Sequence, residues 1–176
     1  GLAQGRSPVM LIKNMLPAYF TALGTMSSAA TIPVALQASK RNGVSDGIAN
    51  FTVPLCATIH LCGSTITLVT CATAVMFLSE HLAIPGYGTM VPFIMMLGVI
   101  MIAAPGAPGG GVMSALGLLT SMLGFGEASI ALMIALYLAQ DSFGTACNVT
   151  GDGVIALWAD RFARGEPALS TEQDAA

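Results

Sequence analysis

Four long apolar stretches divide this chain, and small or polar residues interrupt each of them part-way along. Pro8 to about Ser39 is broken by Gly24-Thr-Met-Ser-Ser-Ala-Ala-Thr-Ile-Pro33, and Ile48 to Ser79 by His60-Leu-Cys-Gly-Ser64. Thr89 to Gly124 is broken by Ala104-Pro-Gly-Ala-Pro-Gly-Gly-Gly111, and Ala128 to Ala159 carries Gly144, Gly151 and Gly153 beside two aspartates. Thr89–Ala103 would give about 22 Å of helix, short of a hydrocarbon core of roughly 30 Å. Its Gly/Pro turn then sends the chain back, which predicts a re-entrant hairpin whose tip backbone lines a cavity. The first stretch reads the same way, with Ser27, Ser28 and Pro33 near its tip. The second and fourth are long enough to span a bilayer. Hairpin, broken helix, hairpin and polar helix repeat one pair of elements twice. The expected fold is therefore an all-α integral membrane protein: two re-entrant helical hairpins and two long transmembrane helices, one of them broken, in an inverted repeat. Residues 1–160 form one core and 161–176 a polar tail on the cytoplasmic side.

Composition agrees. The 176 residues are 55% hydrophobic and 9% charged, whereas soluble domains carry about a quarter charged residues. The lipid bilayer is the expected environment, in a multi-pass protein of the cell membrane. Six scattered lysines and arginines form no basic stripe, which excludes nucleic acid as a partner. With the first hairpin open to the cytoplasm, Arg6, Lys13, Lys40, Arg41, Arg161 and Arg164 fall on that side, while Glu80 and Glu127 fall outside without a cation. That asymmetry follows the positive-inside rule. Cys56, Cys62, Cys71 and Cys147 read as buried thiols acting as small hydrophobes, with Cys56, His60 and Cys62 as an alternative metal set. The chain starts at Gly1 with no signal-peptide pattern, and it reads as a piece of a longer protein.

The chemistry concentrates in Asp141-Ser-Phe-Gly-Thr-Ala-Cys-Asn148-Val-Thr-Gly-Asp152. Intervals of seven and eleven residues are close to whole helical turns, so Asp141, Asn148 and Asp152 share one face. Between Asn42 and Asp160 there is no lysine or arginine to pair with them. Carboxylates in such a segment line a substrate or ion path and need a partner, here a metal cation, a proton or the ammonium of a ligand. This predicts a transporter. An aspartyl protease would need carboxylates about 3 Å apart, and eleven residues of helix separate these by roughly 16 Å. A cation-conducting channel is the other alternative, but it needs no occluding lid on each side.

Four of these motifs resemble the dicarboxylate/amino acid:cation symporter family, in family order and spacing. Thr25-Met-Ser-Ser-Ala-Ala-Thr-Ile-Pro33 resembles its serine-rich first hairpin, and Pro54-Leu-Cys-Ala-Thr-Ile-His-Leu-Cys-Gly-Ser64 its broken seventh helix. Gly106-Ala-Pro-Gly-Gly-Gly111 is similar to its second hairpin tip, and Asp141 to Asp152 to its eighth helix. The resemblance covers the C-terminal core of the transport domain and implies a secondary active symporter rather than an enzyme, a homotrimer when full-length.

The resemblance also implies roles. Asp141 matches the aspartate that pairs with the substrate ammonium, and Asn148 the asparagine that holds the α-carboxylate with Ser27 and Ser28. Thr145 and Ser64 carry hydroxyls facing the substrate, and Gly106, Ala107, Pro108 and Gly109 match a mobile gate. Asp152 matches a sodium ligand, joined by oxygens around Cys56, Thr58, His60 and Asn148; no cofactor is implied beyond the coupling ion. This chain departs from the pattern at three places. Acidic-substrate members carry an arginine where Gly144 or Met26 stands, so small neutral amino acids (serine, threonine, alanine) are the expected substrates, with dicarboxylates or acidic amino acids as the alternative. His60-Leu-Cys-Gly-Ser64 replaces an Asn-Met-Asp-Gly-Thr run, which implies fewer coupled sodium ions or a proton carried by His60. Ser64 keeps a hydroxyl where the family contacts the substrate side chain.

Overall fold

A computed structural model describes residues 7–163. Among them every regular element is a helix: α1 (Pro8–Thr25), α2 (Ser28–Arg41), α3 (Asp46–Ile59), α4 (Cys62–Leu78), α5 (Tyr87–Met101), α6 (Gly110–Leu123) and α7 (Glu127–Ala163). Two apolar units are long enough to cross a membrane, Asp46–Leu78 (α3 with α4) and Glu127–Ala163 (α7). These are two of the expected elements. Arg6, Arg164 and nearly all of the expected tail lie outside the described residues.

The interruptions are shorter than the sequence suggests. α1 and α2 are separated only by Met26 and Ser27, and Pro33 sits inside α2. The turn is made by Met26, the one non-glycine residue at positive φ among the described residues (φ 50°), and Ser27 caps α2 by accepting from the Ala30 N–H at 3.2 Å. Asn42, just beyond α2, donates to the Leu11 carbonyl and accepts from Asn14, which lays the two helices antiparallel. The break between α3 and α4 is only His60–Leu61. α7 runs unbroken through its three glycines, so Asp141 and Asp152 stay roughly 16 Å apart along one helix, too far for a protease dyad.

Packing divides the molecule into two apolar cores. One joins α1, α2 and α3 to the C-terminal part of α7, through residues such as Met15, Ala22, Val53, Val149 and Ala156. The other joins α4, α5 and α6 to the N-terminal part of α7, through Leu68, Phe93, Leu97, Leu119 and Met133. One face of α7, with Asp141, Asn148 and Asp152, is polar where the two cores meet, while Ala146 and Val149 of the same stretch pack into the first core. At one end Lys40 bridges Asp46 (3.0 Å), and the Ser45 N–H donates to Asp160 (2.9 Å). Lys40, Arg41 and Arg161 therefore share that end. The exterior is apolar: Phe20, Phe51, Ile66, Phe77, Met95, Phe143 and Trp158 are all exposed, a surface suited to lipid or further helices rather than water.

Candidate functional site

Three helices begin at the polar face of α7. Ser28 opens α2, Cys62 opens α4 and Gly110 opens α6. A helix N-terminus presents unpaired N–H groups and the positive end of the helix dipole, so their convergence builds an electropositive niche without any charged side chain. α7 supplies the counterweight, with Asp141, Thr145, Asn148 and Asp152 all buried.

Asp141 faces α6. The Gly109 N–H donates to its Oδ2 at 2.7 Å, from a residue at positive φ (72°) that favours glycine. Asn148 faces α4. Leu61, the residue before that helix, has no side-chain oxygen to cap it; instead Asn148 Oδ1 accepts from the Gly63 N–H (2.8 Å) and the Ser64 N–H (3.3 Å). Asn148 is thus an N-cap in trans, bonding the second and third residues of α4 as a local cap would. Its Nδ2 donates to Ser64 Oγ at 2.8 Å. Asp152 faces the break itself, with its Oδ1 2.8 Å from His60 Nδ1. Gly151 makes this pair possible, since a Cβ there would lie 2.6 Å from the imidazole Cε1.

The tips of the two helix pairs meet. Ser27 Oγ donates to the Gly106 carbonyl at 2.9 Å, and the Ala29 N–H approaches the same oxygen at 3.4 Å. Behind them lies a small space lined by Met26, Ser28, Ser64, Gly106, Asp141 and Asn148, among others. It has room for about one water molecule.

Of the residues expected to bind substrate, Ser28, Ser64, Gly106, Ala107, Asp141, Thr145 and Asn148 line this space. Ser27 and Gly109 close its rim through the bonds just described. Pro108 is exposed and lies outside the lining. Of the residues expected around a cation, Asp152 bonds His60 and lies one turn from Asn148, and Cys56 is buried one turn before His60. The Thr58 side chain is exposed and donates to the Leu55 carbonyl of its own helix, so it contributes no side-chain oxygen to the cluster. All four cysteines are free. Among the described residues no three His, Cys, Asp or Glu side chains are arranged to hold a metal ion, so the set Cys56, His60 and Cys62 is not assembled. A cation at Asp152 has to draw on backbone and amide oxygens.

The sequence analysis missed Tyr137, whose phenol lines the same space. The available signal was a hydroxyl one helical turn before Asp141, on the same face. A second omission is the pairing of Gly63 with Gly144. A Cβ on Gly63 would overlap the Gly144 carbonyl, and one on Gly144 would lie 2.9 Å from Thr67 Oγ1. α4 and α7 therefore meet backbone to backbone.

Residues 1–162 match the model of the sodium:dicarboxylate symporter family. The chain belongs to this family. It is a family of membrane transporters, not of enzymes. Over 167 residues the chain is 31% identical to excitatory amino acid transporter 1 of Rattus norvegicus, covering 94% of this chain and 30% of that protein. It is 29% identical over 154 residues to an excitatory amino acid transporter of Caenorhabditis elegans (85% and 29%). It is 27% identical over 172 residues to neutral amino acid transporter B(0) of Oryctolagus cuniculus (94% and 31%). The chain thus spans just under a third of the length of these relatives.

Proposed function

We propose that this chain is the substrate- and cation-binding core of a secondary symporter that moves a small neutral amino acid into the cell with sodium. The observation that carries the reading is the opposition of Asp141 to three helix N-termini across one buried space. A zwitterion matches the charge of both sides once the second tip opens: its ammonium pairs with the Asp141 carboxylate, and its carboxylate faces the positive dipole ends of α2, α4 and α6. The lining offers nothing for a second carboxylate. It contains no lysine or arginine, and Gly144 lies against Ser64 and Thr67 with no room for a side chain. A second substrate carboxylate would sit uncompensated near Asp141, with a like-charge and desolvation penalty.

In this reading α1–α2 and α5–α6 are re-entrant hairpins. At 14 to 18 residues each, their helices reach about 21–27 Å, short of a hydrocarbon core. The two hairpin-plus-helix pairs form the inverted repeat, and the full-length protein is a homotrimer in the cell membrane. Sodium binds at Asp152 with oxygens from the α3 end and Asn148, a hard cation taking oxygen donors. The second tip, Gly106 to Gly109, opens to admit substrate and closes once both ligands are in place.

The test is ligand-induced thermal stabilisation of the full-length protein in detergent, with serine, threonine, alanine, aspartate and malate, each in sodium and in choline. Stabilisation by a neutral amino acid only in sodium is the expected result. The likeness to excitatory amino acid transporters favours the second reading, an acidic substrate. Stabilisation by aspartate or malate alone would establish it and overturn the first.

A further inference from the structure

We propose that Tyr137 is a further specificity-determining residue, which fixes the Asp141 carboxylate and limits the substrate to a small side chain. This rests on reading the space between the hairpin tips as the substrate site. Tyr137 is 1% exposed and stands one turn before Asp141 on α7, inside the core formed with α4, α5 and α6. Its ring belongs to that core, but its hydroxyl end reaches the space lined by Ser28, Ser64 and Asp141.

The phenol is buried and is backed closely by α6. The first turn of α6 is seated on it: a Cβ on Gly111 would lie 2.5 Å from the Tyr137 oxygen and 3.1 Å from Met101 Cε. Glycine at 111 is what lets α6 come this close. Tyr137 and the start of α6 therefore close one side of the space together, with a ring where a substrate side chain would have to extend.

The hydroxyl shares this space with the Ser64 hydroxyl and the Asp141 carboxylate. A carboxylate only accepts, and an amide nitrogen only donates. Asn148 Nδ2 donates to Ser64 Oγ, and toward Asp141 the Tyr137 hydroxyl can act only as a donor. Added to the Gly109 N–H on Oδ2, that second donor sets the carboxylate orientation before an ammonium arrives. Preorganisation of this kind strengthens binding by removing the cost of ordering the site.

The test uses the full-length protein and two kinds of variant. Tyr137→Phe keeps the ring and removes the hydroxyl. It is expected to weaken binding of alanine and serine about tenfold, with maximal uptake changed less than the half-saturating concentration. Tyr137→Leu shortens the wall. It is expected to shift preference toward valine and leucine over alanine by about tenfold, a change that loss of core packing alone would not produce. Unchanged alanine and serine affinity in Tyr137→Phe, or an unchanged size profile in a folded Tyr137→Leu, would overturn the proposal. Should the wild-type protein bind only aspartate, the neutral-substrate reading falls. The Tyr137→Phe comparison is then made with aspartate, where the same tenfold loss supports the role of the hydroxyl and no loss removes it.

Discussion

His60 and Asp152 meet across the break between α3 and α4, Nδ1 to Oδ1 at 2.8 Å, in a stretch of sequence without lysine or arginine. The imidazole stands beside the carboxylate that the proposed sodium site depends on, and it holds one of the two oxygens. Cation binding and the geometry of the break are therefore one event. Asp152→Asn is expected to raise the sodium concentration for half-maximal substrate binding at least tenfold, with a melting temperature close to wild type. His60→Ala leaves the buried carboxylate without this partner and is expected to cost about 1–3 kcal/mol of stability, part of it restored by sodium. Sodium titrations of thermal stability on both variants check this.

The trans cap gives a second expectation. Asn148→Ala removes the acceptor for two N–H groups of α4 and the donor to Ser64. The loss expected is about 1–3 kcal/mol, with faster hydrogen exchange at the Gly63 and Ser64 amides. Ser64→Ala breaks only the last of these bonds and should leave those amides protected.

Gly63 and Gly144 set how near α4 lies to α7. Gly63→Ala presses on the Gly144 carbonyl and the Cys147 Cβ, neither of which can swing away. It should destabilise the protein by about 3 kcal/mol. Gly144→Ala meets first the Thr67 hydroxyl, which can rotate, and should cost less. Denaturation of the two alanine variants under the same conditions decides the order.

Ser27 latches the tips together through the Gly106 carbonyl. With exposed Cys147 replaced by serine, a cysteine at Ala107 reports how open the second tip is. Adding Ser27→Ala should raise its labelling rate by a thiol reagent several-fold, and saturating substrate should lower it. Equal rates with and without Ser27 would remove the latch.

Much of this was legible in the chain. The apolar stretches, the polar face of α7 and the motif order placed Asp141, Asn148 and Asp152 on one helix. What periodicity does not encode is which partner each polar group finds. Asn148 reads as a ligand-binding amide, yet its side chain spends three contacts on α4, because Leu61 cannot cap that helix. Pro33 reads as part of a turn, since proline ends most helices, but αL Met26 had already made the turn. Tyr137 was absorbed into an apolar run because a ring that completes a core and a hydroxyl that completes a site look alike in one dimension.

α7 is shared between two cores that otherwise draw on different helices, and hydrogen bonds from Asp141, Asn148 and Asp152 tie it to its neighbours between them. There α4 and α7 meet backbone to backbone at Gly63 and Gly144, so α7 cannot leave one core without loosening the other. A bound amino acid would join the starts of α2 and α6 to the same helix, and should raise the melting temperature while unfolding stays a single transition.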